Sequence, residues 1–345
     1  MKNEEWFVLL NPFAARGKAK RKEEIIRQQL IQSAIKFQLA VSNSLNEANR
    51  IIHEAIENGF RKFISVGGDG SLNCLVNGIF SQQKISPAEI TIAIIPIGTG
   101  NDWIKTHHIP KSISKAIAII KNGRTDFHDV GMVMKKNADV EERRFFINVA
   151  GFAFQGFVAE RIEGTSHWLK IGFAAFYFGL LDALFRYKTT TMKIELSAVH
   201  LNPLIDLSDV TPSPLIDLSD VILSPSKDSA QADPGNYVEG KFFNISAGIC
   251  KYAGGGMKLT PGAITNDGLL DITIAGNLSK MEVIKNVLRL FNGSFVHHKK
   301  ISQYRTKKIS IASSPLVPIE TDGEVFGYDD GEVGILGRAI QVIVP

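Results

Sequence analysis

The sequence predicts an α/β N-terminal domain with a parallel sheet, followed by a mainly antiparallel β-sandwich C-terminal domain. Three observations point to this fold class. Residues 6–123 alternate short apolar runs with amphipathic stretches, and beyond Arg124 the rhythm changes to closely spaced strand-like segments. Two glycine-rich loops, at 67–71 and 96–102, each directly follow a β-branched, continuously apolar run. Such runs suit strands buried on both faces of a parallel sheet, and alternation with helices supplies the cover. A chain of 345 residues exceeds the usual size of a single core, so two domains are expected, 1–123 and 124–345.

In chain order, residues 6–10 read as the first strand, 19–35 as a helix and 37–41 as the second strand. The next helix carries Ala48, Ile51, Ile52, Ala55 and Ile56 on one face, with Gly59 as its stop. A strand at 62–66, a helix over 72–80 and a strand at 90–95 follow, each glycine loop lying between a strand and a helix. Ser112 can cap a helix whose Ile113, Ala116, Ile117 and Ile120 form a stripe before Gly123. Beyond it, strands are expected at 126–134, 144–150, 193–199, 241–249, 269–275, 308–312 and 339–344, interrupted by helices near 168–185 and 280–291. The last strand has the option of returning to the first domain. A tandem duplication, 203–210 repeated at 214–221, lies in a Pro-, Ser- and Asp-rich stretch that reads as an exposed loop insertion over 200–236, and no catalytic role is assigned to it.

The glycine loops carry the chemistry. In Gly67-Gly68-Asp69-Gly70-Ser71, glycines let backbone N–H groups converge on phosphate oxygens, and a following helix start adds positive dipole. Ser71 and Thr99 offer hydroxyls, Asn73 and Asn101 offer amides, and Gly98 gives the second loop its close approach. Asp69, an acid between glycines at a buried strand end, serves no packing need and is read as functional, holding magnesium-bound water or bracing a loop. Asp102 reads equally as a metal-facing acid and as a helix cap. Lys18, in the basic run Arg16 to Lys22, reads as a phosphate contact or as one of several solvated bases.

In family order the chain shows Asn11-Pro12 before Gly17-Lys18, then Gly67-Gly68-Asp69-Gly70-Ser71-Leu72-Asn73, Pro96 to Asp102, Asn266-Asp267-Gly268-Leu269-Leu270-Asp271 and Asp322-Gly323-Glu324. In these pieces it resembles the catalytic-domain family of soluble diacylglycerol kinases, which includes sphingosine and ceramide kinases and bacterial lipid kinases. Ser71 departs from the family's usual Thr but keeps the hydroxyl. The resemblance implies a fold of the NAD kinase/diacylglycerol kinase kind with its active site in the cleft between domains, and phosphoryl transfer from ATP to a lipid alcohol. It carries Asn11, Lys18, Ser42, Gly67, Gly68, Asp69, Gly70, Ser71, Leu72, Asn73, Gly98, Thr99 and Asn101 into nucleotide contact. Glu324 becomes the general base, with Asp69 as its catalytic companion and Asp322 able to raise its proton affinity. A second triplet, Asp330-Gly331-Glu332, competes for the base but leaves room for only one strand before the end. The resemblance also places a structural Mg2+ on Asp267 with the carbonyls of Ile264 and Leu269; the same residues make a good hairpin turn. Catalytic Mg2+ would arrive with ATP.

The composition, 44% hydrophobic and 21% charged, is that of an ordinary globular protein, and the N-terminal apolar run is too short for a signal peptide. The expectation is a cytoplasmic enzyme, peripheral at the inner membrane surface. Cys74 and Cys250 are too few for a disulfide framework, and no Cys/His spacing suggests zinc, so both read as packing residues. The longest apolar segment, 171–185, is shorter than the roughly 20 residues that span a bilayer. Its Phe173, Phe176, Phe178, Leu180, Leu181, Leu184 and Phe185 read as an acyl-chain lining, a membrane-facing stripe or a packed helix. No nucleic-acid module is present, a homodimer stays open, and the lipid is unnamed by sequence. An NAD kinase-like enzyme and an inactive nucleotide-binding regulatory module remain alternatives.

Overall fold

The computed structural model describes residues 4–98, 100–137, 142–164, 172–197 and 237–345, the side chains of Arg16, Glu163 and residues 172–178 excepted. The duplicated segment, Thr99 and the Phe173, Phe176 and Phe178 side chains therefore lie outside the described residues.

Strand β1 (Trp6–Leu10) leads into helices α1 (Ala14–Arg21) and α2 (Glu23–Gln32), where a single helix over 19–35 was expected. The break falls at Lys22. Among the described side chains of α1 only Ala19 is fully buried, and Ala15 and Gly17 have positive φ, so no apolar stripe runs on to Ile26 and Leu30 of α2. After β2 (Phe37–Val41), helix α3 (Leu45–Glu57) is capped by Ser44, whose hydroxyl accepts from the Glu47 amide, and buries Ala48, Ile52, Ala55 and Ile56. Then come β3 (Lys62–Gly67), α4 (Asp69–Ser81), β4 (Thr91–Pro96), α5 (Asp102–Thr106) and α6 (Ile113–Asn122). Strands β1, β3 and β4 are buried along nearly their whole length and pair in parallel, in the order β2-β1-β3-β4. This is the α/β arrangement that the alternation predicts.

The second half begins with β5 (Arg124–Lys135), β6 (Arg143–Phe146) and β7 (Val149–Ala153). The last two divide what the sequence shows as one run, because the amides of Ile147, Asn148 and Val149 donate to the Asp322 carboxylate instead of joining a ladder. Helix α7 (Phe154–Gly164), which the sequence reading omits, precedes α8 (Gly172–Arg186) and β8 (Thr190–Ser197). The expected strand over 241–249 is two strands, β9 (Tyr237–Phe242) and β10 (Asn244–Gly248), in different sheets, with the chain turning the corner at Phe243. Strand β11 (Leu270–Ala275), helices α9 (Lys280–Asn286) and α10 (Arg289–Asn292), and strands β12 (Ile301–Thr306), β13 (Lys308–Ser314), β14 (Pro318–Thr321), β15 (Glu324–Tyr328) and β16 (Gly331–Val344) complete the chain.

Two sheets result. One extends the parallel strands through β16, which is parallel to β4 and antiparallel to β5 and β13, and continues to β8 and β9. The other is antiparallel throughout, in the order β12-β11-β10-β7-β14-β15. Between the sheets Phe146, Phe152, Phe242, Ile245 and Ile272 form a continuous core. Strand β16 thus ties the final residues into the sheet whose strand ends carry the glycine loops.

Candidate active site

The two glycine loops touch. Gly98 N and Ile97 N both donate to the Gly67 carbonyl, at 3.1 and 2.8 Å. A Cβ on Gly98 would lie 2.5 Å from the Gly68 Cα, so the backbones meet at a distance only glycine allows. Asn101, fully buried with φ 49°, closes the second loop by donating from Nδ2 to the Gly98 carbonyl at 2.5 Å.

Asp69 acts as a brace. Its carboxylate accepts the backbone amides of Asp102 (2.9 Å) and Trp103 (3.0 Å), fixing the start of α5 against the start of α4. Burial first, and the neighbouring Asp102 second, push its pKa up. Asp102 in turn takes the Lys105 ammonium at 2.7 Å and the Gly255 amide at 2.7 Å, so it is neither an ordinary cap nor solvent-facing.

Asp322 and Gly323 form a two-residue turn between β14 and β15 with φ of 52° and 90°, the geometry of a primed hairpin turn. Asp322 is a hub. Its oxygens accept from the amides of Ile147 (2.9 Å), Asn148 (2.8 Å) and Val149 (3.1 Å) and from Asn73 Nδ2 (2.7 Å). Burial raises its pKa to about 6 against the pull of these donors. Glu324 follows as the first residue of β15, and its Oε1 sits 3.2 Å from where a Cβ on Gly70 would be.

Two cavities meet at this turn. A cleft of about 390 Å3 is lined by Asn11, Ser42, Gly68, Gly70, Ser71, Gly98 and Glu324. A second cavity, of about 320 Å3, is apolar along Phe154, Val158, Leu184, Phe243, Val283 and Leu290 and polar at one end, where Asp69, Asp102, Asn148, Glu320, Asp322 and Gly323 lie. Consecutive residues fall on opposite sides: Asp69 and Gly323 border the apolar cavity, and Gly70 and Glu324 border the glycine-loop cleft.

Other expected site residues take different places. Leu72 is a core residue, its side chain fully buried and its amide bonded to the Gly68 carbonyl, since its position on α4 turns it away from the cleft. Asn73 reaches Asp322 and the Phe145 carbonyl. Lys18 is exposed on α1 and is not among the cleft-lining residues. Asn11 lines the cleft while its Oδ1 accepts the Phe13 amide. In the competing triplet, Asp330 accepts from Ser313 N and Glu332 pairs with Lys308 at 2.7 Å. At the remaining turn, Asp267 accepts the Leu269 amide at 3.0 Å and meets the Arg305 guanidinium. Its carboxylate and the carbonyls of half-exposed Ile264 and of Leu269 are hard oxygen donors suited to Mg2+, which would share the carboxylate with Arg305.

A polar network absent from the sequence reading lines the polar end of the apolar cavity. Glu320, fully buried, accepts from Gln155 Nε2 and the Gly323 amide, and Gln155 Oε1 accepts from Ser246 Oγ at 2.8 Å. Burial raises the Glu320 pKa from 4.5 to about 8. Because the folded value lies above the unfolded one, this group's contribution to stability is complete below about pH 4.5 and is lost as pH rises through about 8. Urea midpoints are therefore expected to fall between pH 5 and 8, and Glu320→Gln to flatten that slope; an equally steep slope in the variant would assign it to other groups. The Asp-Gly turn dipeptide signals the hairpin that places Glu324, whereas Gln155 and Ser246 carry no sequence signal at all.

Residues 5–133 match the family model of the diacylglycerol kinase catalytic domain, and residues 155–344 match that of the YegS C-terminal NAD kinase beta sandwich-like domain. The chain is 24% identical over 341 residues to the diacylglycerol kinase of Bacillus subtilis (strain 168), covering 98% of this chain and 95% of that one. It is 25% identical over 338 residues to the diacylglycerol kinase of Mycobacterium tuberculosis (strain ATCC 25618 / H37Rv), covering 98% and 94%. A crystal structure of a diacylglycerol kinase from Bacillus anthracis str. Sterne superposes with a TM-score of 0.65 at 19% identity over 100% of this chain and 98% of that one, which shows a shared fold.

Proposed function

The chain belongs to the diacylglycerol kinase catalytic-domain family, and from that premise we propose that it is a lipid kinase moving the γ-phosphate of ATP to a hydroxyl of diacylglycerol or a related lipid alcohol. The observation that carries this reading is the meeting of the glycine-loop cleft with the apolar cavity at the Asp322-Gly323-Glu324 turn. A lipid chain held among Val158, Leu184, Phe243 and Val283 would bring its hydroxyl to the polar end of that cavity, next to the cleft that takes the triphosphate.

Phosphoryl transfer asks mainly for positioning and charge neutralisation. The amides and dipole at the start of α4, with Ser71 Oγ, would hold phosphate oxygens, and Asp69 keeps the second loop in register with the first. Glu324 would accept the lipid hydroxyl proton as the new P–O bond forms. Mg2+ bound with ATP would neutralise phosphate charge.

At Asp267 the proposal is a second, structural Mg2+. Without nucleotide, Mg2+ is expected to raise the thermal unfolding midpoint of the wild type and to leave Asp267→Ala unchanged. No Mg2+ response in the wild type would make Arg305 the cation of that site.

Among the described residues no helix is long and apolar enough to cross a membrane. Exposed Phe185, Met281 and Leu288 stand beside Lys280, Lys285 and Arg289, a mixture that suits peripheral contact with an anionic, inner-leaflet surface near the cavity formed with α9.

The deciding experiment presents labelled Mg·ATP with diacylglycerol, monoacylglycerol, sphingosine, ceramide, polyprenol or phosphatidylglycerol, in mixed micelles and in anionic vesicles, with NAD as a control. Label in a lipid supports the proposal and names the substrate. Label in NAD alone assigns an NAD kinase-like enzyme, and nucleotide binding without transfer assigns a regulatory module. Equal activity with neutral and anionic vesicles would remove the charged membrane contact.

A further inference from the structure

Behind the second glycine loop, at the seam between the parallel sheet and the sandwich, three side chains from distant parts of the chain converge. His107 follows the last residue of α5, His128 lies in β5, and Cys250 follows β10. One nitrogen from each imidazole and the sulfur all lie within 4.8 Å of one another. None of the three takes part in the catalytic arrangement described above.

The hydrogen bonding leaves this cluster with a surplus of lone pairs. His128 Nδ1 lies 2.5 Å from the Asp129 carbonyl, which only accepts, so the ring proton is on Nδ1 and the Nε2 lone pair faces the cluster. That lone pair receives the Trp103 indole N–H at 3.3 Å. His107 Nε2 is buried with no hydrogen-bond partner among the described residues. The Cys250 thiol donates to the Ile147 carbonyl at 3.2 Å, and its sulfur stands 3.7 Å from His128 Nε2. His107 Nε2 is the ligand atom of the three left without a partner, which is costly when buried, and a cation would take its lone pair together with those of His128 Nε2 and the sulfur.

We propose that His107, His128 and Cys250 form a binding site for a borderline-soft divalent cation of the Zn2+ class, which ties α5 to β5 and to the segment after β10. Two imidazoles and a thiolate favour zinc over the hard Mg2+ of phosphoryl transfer. The Asp129 carbonyl is the outer partner that orients His128, as metal-bound imidazoles require. Burial keeps both imidazoles neutral and pushes the Cys250 thiol well above its usual value, so the sulfur gives up its proton only as the ion binds. On binding, the Cys250 thiol bond to hydrogen breaks, the proton leaves to solvent and the sulfur–metal bond forms; the ion also displaces the Trp103 N–H from His128. The Thr106 hydroxyl, bordering the Cys250 sulfur, or a water would complete four-coordination. Because α5 begins at Asp102, the ion would pin the helix that Asp69 braces.

The test uses the full chain stripped with a chelator and titrated with Co2+. One equivalent is expected to bind with a thiolate-to-cobalt charge-transfer band, to be displaced by Zn2+, and to lose that band in Cys250→Ser. His107→Gln, at a half-buried helix end and so compatible with folding, is expected to weaken Co2+ binding at least about tenfold. Zn2+ is expected to raise the thermal midpoint of the wild type and not that of His107→Gln. A folded wild type showing no charge-transfer band, or the same Co2+ affinity in His107→Gln, would overturn the proposal.

Discussion

Glu324→Gln is expected to lower kcat for lipid phosphorylation by roughly a hundred- to ten-thousand-fold, the range for loss of a positioned general base. Binding of ATP should change little. Gln is nearly isosteric with Glu and keeps a carbonyl acceptor near Gly70, but it cannot take the proton of the attacking hydroxyl. The effect should appear in kcat and kcat/KM together, because the missing interaction exists only in the transition state. The hairpin turn that places Glu324 consists of Asp322 and Gly323, which the substitution leaves intact, so the unfolding midpoint should stay close to the wild type. Unchanged turnover in the lipid assay would remove Glu324 from its proposed role and return attention to Asp69, which borders the apolar cavity.

Asp322→Ala is expected to cause the largest loss of stability. The substitution leaves the amides of Ile147, Asn148 and Val149 and the Asn73 side chain without their acceptor. At about 1–3 kcal/mol for each buried donor left unpaired, and allowing water to reach some, the loss is roughly 3–6 kcal/mol. Asp322 already occupies φ 52°, so alanine there adds only the difference, less than about 1 kcal/mol, by which Asp tolerates the left-handed region better. A domain stable by about 5–15 kcal/mol loses much of its margin. Asp322→Asn, which keeps one oxygen and turns an amide towards the donors, should fall between the two. Urea denaturation of wild type, Asn and Ala variants should follow that order; a wild-type midpoint for Ala would mean that the four hydrogen bonds contribute no net stability. The same hub links β6 and β7 to the turn before Glu324, so any Ala variant that folds should also lose turnover without loss of nucleotide affinity.

The parallel half of the fold was legible because its signals are local. Continuous β-branched runs mark β1, β3 and β4, and the stripe from Ala48 to Ile56 marks α3. The second half was less legible for a specific reason in each case. The run through Phe145 and Val149 looks continuous, and only the distant Asp322 divides it into two strands. The apolar stretch around Phe242 and Phe243 carries no mark of the corner at which the chain changes sheets. At the site, the glycine loops and Glu324 were visible as motifs. Leu72 was read with its loop, yet the turn of α4 sends it into the core.

By itself the sequence determined the α/β-plus-sandwich class, the two glycine loops and the acidic turn near the end, because each depends on residues close together in the chain. Tertiary structure alone decided that Asp69 braces α5, that Gly68 and Gly98 meet backbone to backbone, and that Glu320 is buried at the polar end of the apolar cavity. It also decided that His107, His128 and Cys250 come together. The physical reason is that burial, desolvation and hydrogen-bond partnership belong to the packed assembly of distant segments, and no local pattern of residue types encodes them.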